Sequence, residues 1–206
     1  QPAPSGAQVF PGFRESDSGS FDRHSYSFYA ALEGDITERF SAGIAARHES
    51  YSDFGDTTTG KLTARYAFND AVALRGTVST GFHAPSLQQQ YYQTTSTNFI
   101  GGIPFDLVTF RVTNPAGIAL GAEPLQAETS DNLSLGLVLT PVERLYVTID
   151  AYRIRLEDRI TLSENLNSTA VRNWLNANGF PDVAGGRYFT NALDTTTTGI
   201  DVVGTY

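Results

Sequence analysis

Hydrophobic and polar residues alternate along much of the chain, most clearly between Lys61 and Thr80. One parity of this stretch is apolar: Leu62, Ala64, Tyr66, Phe68, and then Val72, Leu74, Gly76 and Val78. The other parity carries basic and hydroxyl groups, and a polar turn at Asn69-Asp70 separates the two runs. Because successive side chains of a strand point to opposite faces, the pattern predicts a hairpin with one apolar face and one polar face.

The same alternation predicts seven strands, lettered A to G. Their approximate ranges are Ser25 to Glu33, Arg39 to Tyr51, Lys61 to Phe68, Val72 to Thr80, Glu128 to Leu139, Leu145 to Ile154 and Gly199 to Tyr206. Tight turns are predicted at 34–37 between A and B, at 69–70 between C and D, and at 140–143 between E and F. The B–C, D–E and F–G connections are predicted to be longer, the last two on the order of 40 residues, well beyond a hairpin loop.

Two segments outside the strands also have readable patterns. Residues 1–21 contain Pro2, Pro4 and Pro11 and are predicted to be a loop. In the F–G connection, the helical spacing of apolar residues predicts a short helix over 169–178, with stop signals directly after it. We expect Trp174 to anchor this helix rather than to contact a ligand.

Short turns at one end and long loops at the other are typical of transmembrane β-barrels, whose tilted strands need about ten residues to cross the bilayer. Aromatic residues lie near both ends of the predicted strands, as interface girdles do: Phe40, Phe68 and Tyr146 beside the tight turns, and Tyr51, Phe54 and Phe82 at the far ends. A secreted antiparallel sandwich is the alternative, although its strands are usually shorter and its loops are not asymmetric. The predicted fold is all-β, an antiparallel transmembrane β-barrel fragment with long extracellular loops.

Composition narrows the class of protein further. Seven strands are too few to close a barrel around a plugged lumen, so we expect a piece of a longer barrel without its C-terminal strands. The chain of 206 residues has no Cys, and it starts at Gln1 without a charged n-region or an apolar h-region. We therefore expect the targeting segment to be removed or to lie outside this piece. A net charge of −8 with a single lysine argues against nucleic acid as a partner, because phosphate binding needs a basic patch.

Nothing in the sequence indicates catalysis, a cofactor or a metal site. His24, His48 and His83 are far apart and form no metal-binding pair. The adjacent carboxylates Glu157 and Asp158 point opposite ways on an extended chain, which disfavours joint acid–base work. The sequence contains neither a nucleophile elbow nor a Gly-rich phosphate loop after a strand.

Two groups of residues are candidates for function. The polar parity of the strands contains six charged residues, predicted to face the lumen: Glu33, Arg47, Glu49, Lys61, Arg65 and Arg75. They form either a wet wall with cross-strand charge pairs or a surface that contacts a plug or a solute. In the D–E connection, Tyr91, Tyr92 and Phe99 stand among amide side chains, a composition that suits capture of a polar, ring-bearing ligand. Packing within the loop is the equal alternative.

Seven short motifs, in this order, carry a resemblance to a known family. They are Val9-Phe10-Pro11-Gly12-Phe13, Glu49-Ser50-Tyr51-Ser52-Asp53-Phe54-Gly55, Leu74-Arg75-Gly76, Ser79-Thr80-Gly81-Phe82-His83-Ala84-Pro85-Ser86-Leu87, Leu125-Gln126-Ala127-Glu128-Thr129-Ser130-Asp131-Asn132, Asp150-Ala151-Tyr152-Arg153-Ile154 with Asp158-Arg159-Ile160, and Phe189-Thr190-Asn191-Ala192 with Thr198-Gly199-Ile200-Asp201. Together they resemble the β-barrel domain of TonB-dependent outer-membrane receptors.

The resemblance implies a barrel of about 22 strands with a plugged lumen, of which residues 1–206 would be a middle part. It implies a location in the outer membrane of a Gram-negative bacterium, in contact with its lipid. It also implies an N-terminal plug and a TonB-binding segment, neither of which is in this chain. The expected function is active uptake of a scarce solute such as a siderophore-iron complex, cobalamin or an oligosaccharide or other glycan. A passive porin without a plug is the rival.

One residue departs from the family pattern. The segment after strand D usually reads Gly-Phe-Arg-Ala-Pro in the family, and His83 stands at the Arg position here. We expect a structural role at the barrel rim. If His83 instead contacts ligand or plug, that contact would depend on pH, because histidine changes charge between pH 5 and 8.

Overall fold

The computed structural model describes residues 15–100, 103–181 and 183–206, without the side chains of 16, 97–100 and 103–105. The first 14 residues of the predicted N-terminal loop, and with them the motif at 9–13, lie outside this description. A 3-10 helix, Glu15–Asp17, is the first element. The chain divides into two compact units. We call them the strand unit (His24–Ala84, Ala127–Arg159 and Leu193–Tyr206) and the loop unit (Gln1–Arg23, Pro85–Gln126 and Ile160–Ala192).

The strand unit is built from long antiparallel strands. They are β1 (Ser25–Thr37), β2 (Phe40–Tyr51), β3 (Gly55–Asn69), β4 (Val72–His83), β7 (Glu128–Val142), β8 (Leu145–Leu162) and the second half of β9 (Val183–Thr205). They lie in the order β1-β2-β3-β4-β7-β8-β9. All seven predicted strands are present, and most are longer than the sequence pattern indicated.

The tight turns are confirmed between A and B, C and D, and E and F, but all three were placed too early, the C–D turn by one residue because Asn69 still belongs to β3. The chain turns at 38–39 and 143–144, because the strands continue through bulges into 34–37 and 140–142. At the first turn the Thr37 hydroxyl accepts the N–H groups of Arg39 and Phe40, at 3.3 and 3.0 Å. At the other turn Arg144 takes a φ of 70°.

The prediction of a long B–C connection is wrong. β3 begins at Gly55, six residues before the predicted start, and Tyr51 pairs directly with Gly55. The intervening turn is only 52–54, because Gly55 adopts a φ of +96°, which a residue without Cβ accommodates readily. The Tyr51 ring stacks on Phe54 at 4.5 Å and meets Phe82 edge-on at 6.0 Å, so the three far-end aromatics do cluster.

The strand register separates the two predicted faces. Directly paired residues share a face, and the pairs Ile44↔Leu62, Leu62↔Val78 and Val78↔Leu133 join one apolar row across four strands. The apolar face is open: Leu32 is 75% exposed and Leu135 is 55% exposed. Exposed apolar side chains on this scale need a partner other than water.

The loop unit contains the structure that the sequence analysis missed. Its elements are α1 (Leu87–Tyr91), β5 (Thr94–Ile100), β6 (Ile103–Phe110), α2 (Pro115–Ala119), α3 (Thr169–Ala177) and the first half of β9. β5 and β6 form an antiparallel hairpin, and β6 pairs in parallel with β9. The D–E connection, expected as irregular loop, is therefore largely folded.

A hydrophobic core holds the loop unit together. Phe110 and Leu175 are 1% and 0% exposed, and Val108 and Ala116 pack with them. The predicted helix is confirmed as α3, with Gly179 at a φ of +91° just beyond its end. Trp174 is not its anchor, because its side chain is 43% exposed and Leu175 takes the buried position instead.

Tyr188 of β9 lies at the edge of this core. Its hydroxyl donates to the Leu120 carbonyl at 3.0 Å, and burial, together with the nearby charge of Glu123, raises the pKa of Tyr188. Among the residues that the structure describes, no helix combines the length and the hydropathy needed to cross a bilayer.

Candidate functional site

The loop unit carries a polar pocket of about 360 Å³ on the face of its sheet opposite the core. Register pairs Thr94 with Thr109 and Thr109 with Arg187, so these three side chains form one row across β5, β6 and β9. Ser96 lies two residues further along β5 on the same face. The pocket is lined by Tyr92, Thr94, Thr95, Ser96, Leu107, Val108, Thr109, Asn165, Gly186 and Arg187.

Two glycines of β9 let β6 and the segment around Leu166 approach β9 closely beneath this pocket. A Cβ at Gly186 would collide with the Val108 carbonyl and the Phe110 ring, and one at Gly185 would collide with the Leu166 carbonyl. Gly185 also has a φ of +144°, which side-chain-bearing residues rarely adopt. Leu166 bridges to Gly186 through two backbone hydrogen bonds of 2.8 and 3.1 Å. The hydrogen bonds between Leu166 and Gly186 fix the backbone position of the next residue, Arg187.

The pocket combines one cation with several hydroxyl groups. Arg187 is exposed, and its Nε donates to Thr109 Oγ1 at 3.2 Å. No carboxylate lines the pocket among the residues that the structure describes. Thr109 itself is 6% exposed, and Ser96 donates to the Leu107 carbonyl at 3.3 Å. A guanidinium surrounded by hydroxyl and amide groups binds oxygen-rich anions well, because it offers several N–H donors in a fixed fork.

Tyr91 and Tyr92 are adjacent in sequence, but their side chains make different contacts. Tyr92 caps the end of α1 and lines the pocket, with 50% of its side chain exposed. The Tyr91 ring instead stacks on Phe21 at 4.2 Å, and the Arg111 guanidinium lies 5.5 Å from the Phe21 ring centre. Tyr91 thus takes part in packing within the loop unit, which was the alternative reading of the tyrosine pair.

Polar contacts continue from this aromatic cluster. Gln93 donates to Asp17 at 2.9 Å and accepts from Asn114 at 2.8 Å and from Arg111 at 3.3 Å. Asn114 also caps α2, since its side chain accepts the Ala116 N–H at 2.9 Å. This network ties the end of α1 to the start of α2 and holds the rim of the pocket in place.

The other two predicted ligand residues lie elsewhere. Phe99 is in β5, and its side chain is outside the part that the structure describes. His83 ends β4 in the strand unit, where its Nδ1 lies 3.5 Å from Glu128 of β7 and most of the ring is exposed. This contact joins two neighbouring strands, as a structural residue at a rim would.

The six charged residues of the predicted wall share one face of the strand unit. The register pairs Glu33 with Gly43, Ala45 with Lys61, and Arg65 with Arg75, all on the polar parity. The Arg75 guanidinium donates to the Asp150 carboxylate through Nε and one terminal nitrogen, Nη2, at 2.6 to 3.0 Å, across the small Gly136. Arg47 pairs with Glu49, which is 6% exposed. The pairs fit a wet wall, while contact with a plug or solute stays a prediction.

The sequence pattern does not predict Arg187, Thr109 or Asn165 as site residues, because the segments that bear them lie in the predicted D–E and F–G connections. A signal for Arg187 was present. The Gly185-Gly186 pair precedes it, and glycines inside a strand mark close approach of another backbone. The parallel pairing of β6 with β9 brings together residues 78 positions apart in the sequence, so no local pattern predicts it.

A two-faced antiparallel sheet with turns of two or three residues and long folded connections is typical of the wall of a β-barrel. A family model described as TonB dependent receptor-like, beta-barrel, matches residues 1–206. The chain therefore belongs to the family of TonB-dependent receptor β-barrels, rather than to the porins or the secreted sandwiches. This is a family of receptors and not of enzymes. A sequence comparison with curated proteins gives no match.

Solved structures support the same fold. The siderophore receptor PirA from Acinetobacter baumannii has a TM-score of 0.65 at 18% identity, over 94% of this chain and 28% of its own. PirA from Pseudomonas aeruginosa has 0.64 at 18%, over 87% and 30%. A mutant of the P. aeruginosa ferric enterobactin receptor PfeA, in complex with enterobactin, has 0.64 at 16%, over 87% and 24%. The chain thus spans less than a third of each of these proteins.

Proposed function

We propose that this chain is the wall and part of the outer loops of a receptor that imports a scarce solute across the outer membrane of a Gram-negative bacterium. Family membership and the open apolar face support the location, because a surrounding bilayer would cover that face. Energy for import would come through TonB, acting on parts of the receptor outside this chain. The polar face, with its Arg75–Asp150 pair, would line the water-filled interior.

We further propose that the solute is an anionic ferric chelate of the siderophore class, and that the loop-unit pocket contributes to its capture. The observation that carries this is Arg187, an exposed cation beside the hydroxyls of Thr94, Ser96 and Thr109, with no carboxylate in the lining described. Neutral glycans need hydroxyl and amide partners but no cation. The structural neighbours bear names of siderophore receptors, which agrees with the choice.

Replacing Arg187 with glutamine is expected to weaken chelate binding by roughly 10- to 100-fold, the loss typical of one charge-assisted hydrogen bond. Binding is measured on the full-length receptor by fluorescence quenching with four probes: ferric enterobactin, a ferric hydroxamate, cyanocobalamin and a maltooligosaccharide. Arg187→Lys keeps the charge and is expected to retain part of the affinity.

Arg172→Gln is the matched control, because Arg172 is an arginine of the same unit that contacts Thr169 on α3 and does not line the pocket. It is expected to bind like the wild type. Two results would contradict the proposal. Binding of cobalamin or oligosaccharide alone would refute the solute class, and unchanged chelate affinity in Arg187→Gln would refute the role of the pocket.

A further inference from the structure

The apolar face of the strand unit is interrupted by an open groove of about 730 Å³. It begins where β3 and β4 stop pairing, at Lys61↔Ser79, although β2 and β3 remain paired as far as Tyr51↔Gly55. Where β3 and β4 separate, the Gly60 N–H donates a hydrogen bond to the Thr80 hydroxyl at 2.9 Å. The position of a Cβ on Gly60 has only one atom nearby, the Ala45 carbonyl oxygen at 3.8 Å, so the surface is hollow there.

Below the point where β3 and β4 separate, the groove is lined by aliphatic side chains. Ile44, Leu62, Val78 and Leu133 form the row of directly paired residues described above, and each is between 53% and 59% exposed. Four neighbouring apolar side chains across four strands give a continuous strip. Such a strip suits a hydrocarbon chain laid against the sheet.

The row ends on a cation. Leu133 pairs directly with Arg153, which therefore stands on the apolar face as the next residue of the strip. Arg155, two residues on, shares this face and the groove lining. Arg155 is paired with Glu157 at 2.7 Å. Arg153 has no ion pair with any residue in the described parts of the chain, and a lone charge on a lipid-facing surface is costly unless it meets a polar partner.

An acceptor lies beside this cation. Asp131 pairs across the strands with Arg155 and also lines the groove. Its carboxylate makes no hydrogen bond or ion pair to the residues described. The end of the groove thus presents a guanidinium and a carboxylate, both free to bind a molecule that has an anionic group and hydroxyl or amino donors next to it. The aliphatic strip requires that the same molecule carry a hydrocarbon chain.

We propose that this groove is a binding site for a phosphate-bearing, acylated lipid of the surrounding membrane. The phosphate would bind Arg153, with Arg155 close by, and Asp131 would accept from a hydroxyl or amino group of the head group. One acyl chain would lie along the strip from Leu133 to Ile44. The inference rests on the proposed membrane location, since the apolar face must meet lipid, but not on the identity of the imported solute.

The test uses the full-length receptor purified in detergent and native mass spectrometry to count bound lipid. Lipid A with two phosphates is the probe, and dephosphorylated lipid A and inorganic phosphate are the comparisons. Wild type is expected to retain the phosphorylated lipid in preference to the dephosphorylated one. Arg153→Gln is expected to lower retention of the phosphorylated lipid about fivefold, and Arg153→Lys to restore most of it.

Arg65→Gln is the matched control, because Arg65 belongs to the polar face of the same sheet. It is expected to bind lipid A like the wild type. Equal retention by wild type and Arg153→Gln would overturn the site, as would an equal loss in Arg65→Gln. Equal binding of dephosphorylated lipid would refute the phosphate contact, and displacement by inorganic phosphate at equal concentration would identify a site for free anions instead.

The outcomes separate this inference from the proposed function. If no siderophore binds but lipid A is retained through Arg153, the solute proposal fails and the lipid site stands. If wild-type receptor retains no lipid A in either form, the apolar face does not meet such lipid and the site is refuted, whatever solute binds. Chelate binding is expected to be unchanged in Arg153→Gln, because Arg153 lies in the strand unit and outside the loop-unit pocket.

Discussion

Replacing Leu175 with alanine is expected to reduce the free energy of opening of the loop unit by about 2–5 kcal/mol, the usual cost of truncating a fully buried leucine. Leu175 is 0% exposed and packs with Val108 and Phe110, so its removal leaves a cavity at the centre of the core. Hydrogen exchange of the backbone amides of β6 and of the first half of β9, measured on the full-length receptor, reports this loss directly.

Trp174→Ala is the matched control on the neighbouring position of α3. The Trp174 side chain is larger but 43% exposed, so its truncation is expected to cost less than about 1 kcal/mol. A larger effect at Trp174 than at Leu175 would contradict the packing described for α3. Because β6 and β9 carry Thr109 and Arg187, Leu175→Ala is also expected to weaken chelate binding, which Trp174→Ala should leave almost unchanged.

Trp174 and Leu175 show which features of α3 can be predicted from the sequence and which cannot. Helical spacing of Val171, Trp174 and Leu175, followed by Gly179, was sufficient to locate α3 within one residue. It could not tell which of two adjacent apolar residues turns inward. That choice depends on where β6 passes, and the partner residue Val108 lies 67 positions earlier in the chain.

The strands themselves were the most predictable part of the fold, because the alternation of faces is a local property. Their ends were less so. Thr37 and Val142 stay in the sheet because bulges absorb an extra residue before each turn, and a bulge shifts the alternation that was used to find the boundary. At the B–C connection the prediction was too long, because only the three residues 52–54 separate the paired residues Tyr51 and Gly55.

The polar wall could be predicted from local alternation, whereas the pocket depends on long-range pairing and could not. Arg47, Glu49, Arg65 and Arg75 could be assigned to one face from parity alone, and the register places them together. Arg187 could not be joined to Thr109, because their contact arises from a parallel pairing between two long connections. Among the predicted ligand residues whose side chains the structure describes, only Tyr92 lines the pocket.

Replacing Leu135 with arginine is expected to cost about 2–4 kcal/mol of unfolding free energy, the penalty for a cation on the lipid face near the middle of the bilayer. Leu135 pairs with Gly76 and Ala151 on the apolar face and is 55% exposed. With lipid around it, an arginine there would lose its hydration without gaining a partner. Equilibrium unfolding of the full-length receptor in lipid vesicles measures this cost.

Ser134→Arg is the decisive comparison, because one step along β7 turns the side chain to the other face. Ser134 pairs with Thr77 and Tyr152 on the polar face, where an arginine would meet water and neighbouring polar groups. Its cost is expected to stay below about 1 kcal/mol. Equal costs at the two positions would refute the assignment of faces, and with it the lipid groove, since Arg153 shares the apolar face with Leu135. A penalty confined to Leu135→Arg would place that face in lipid by measurement.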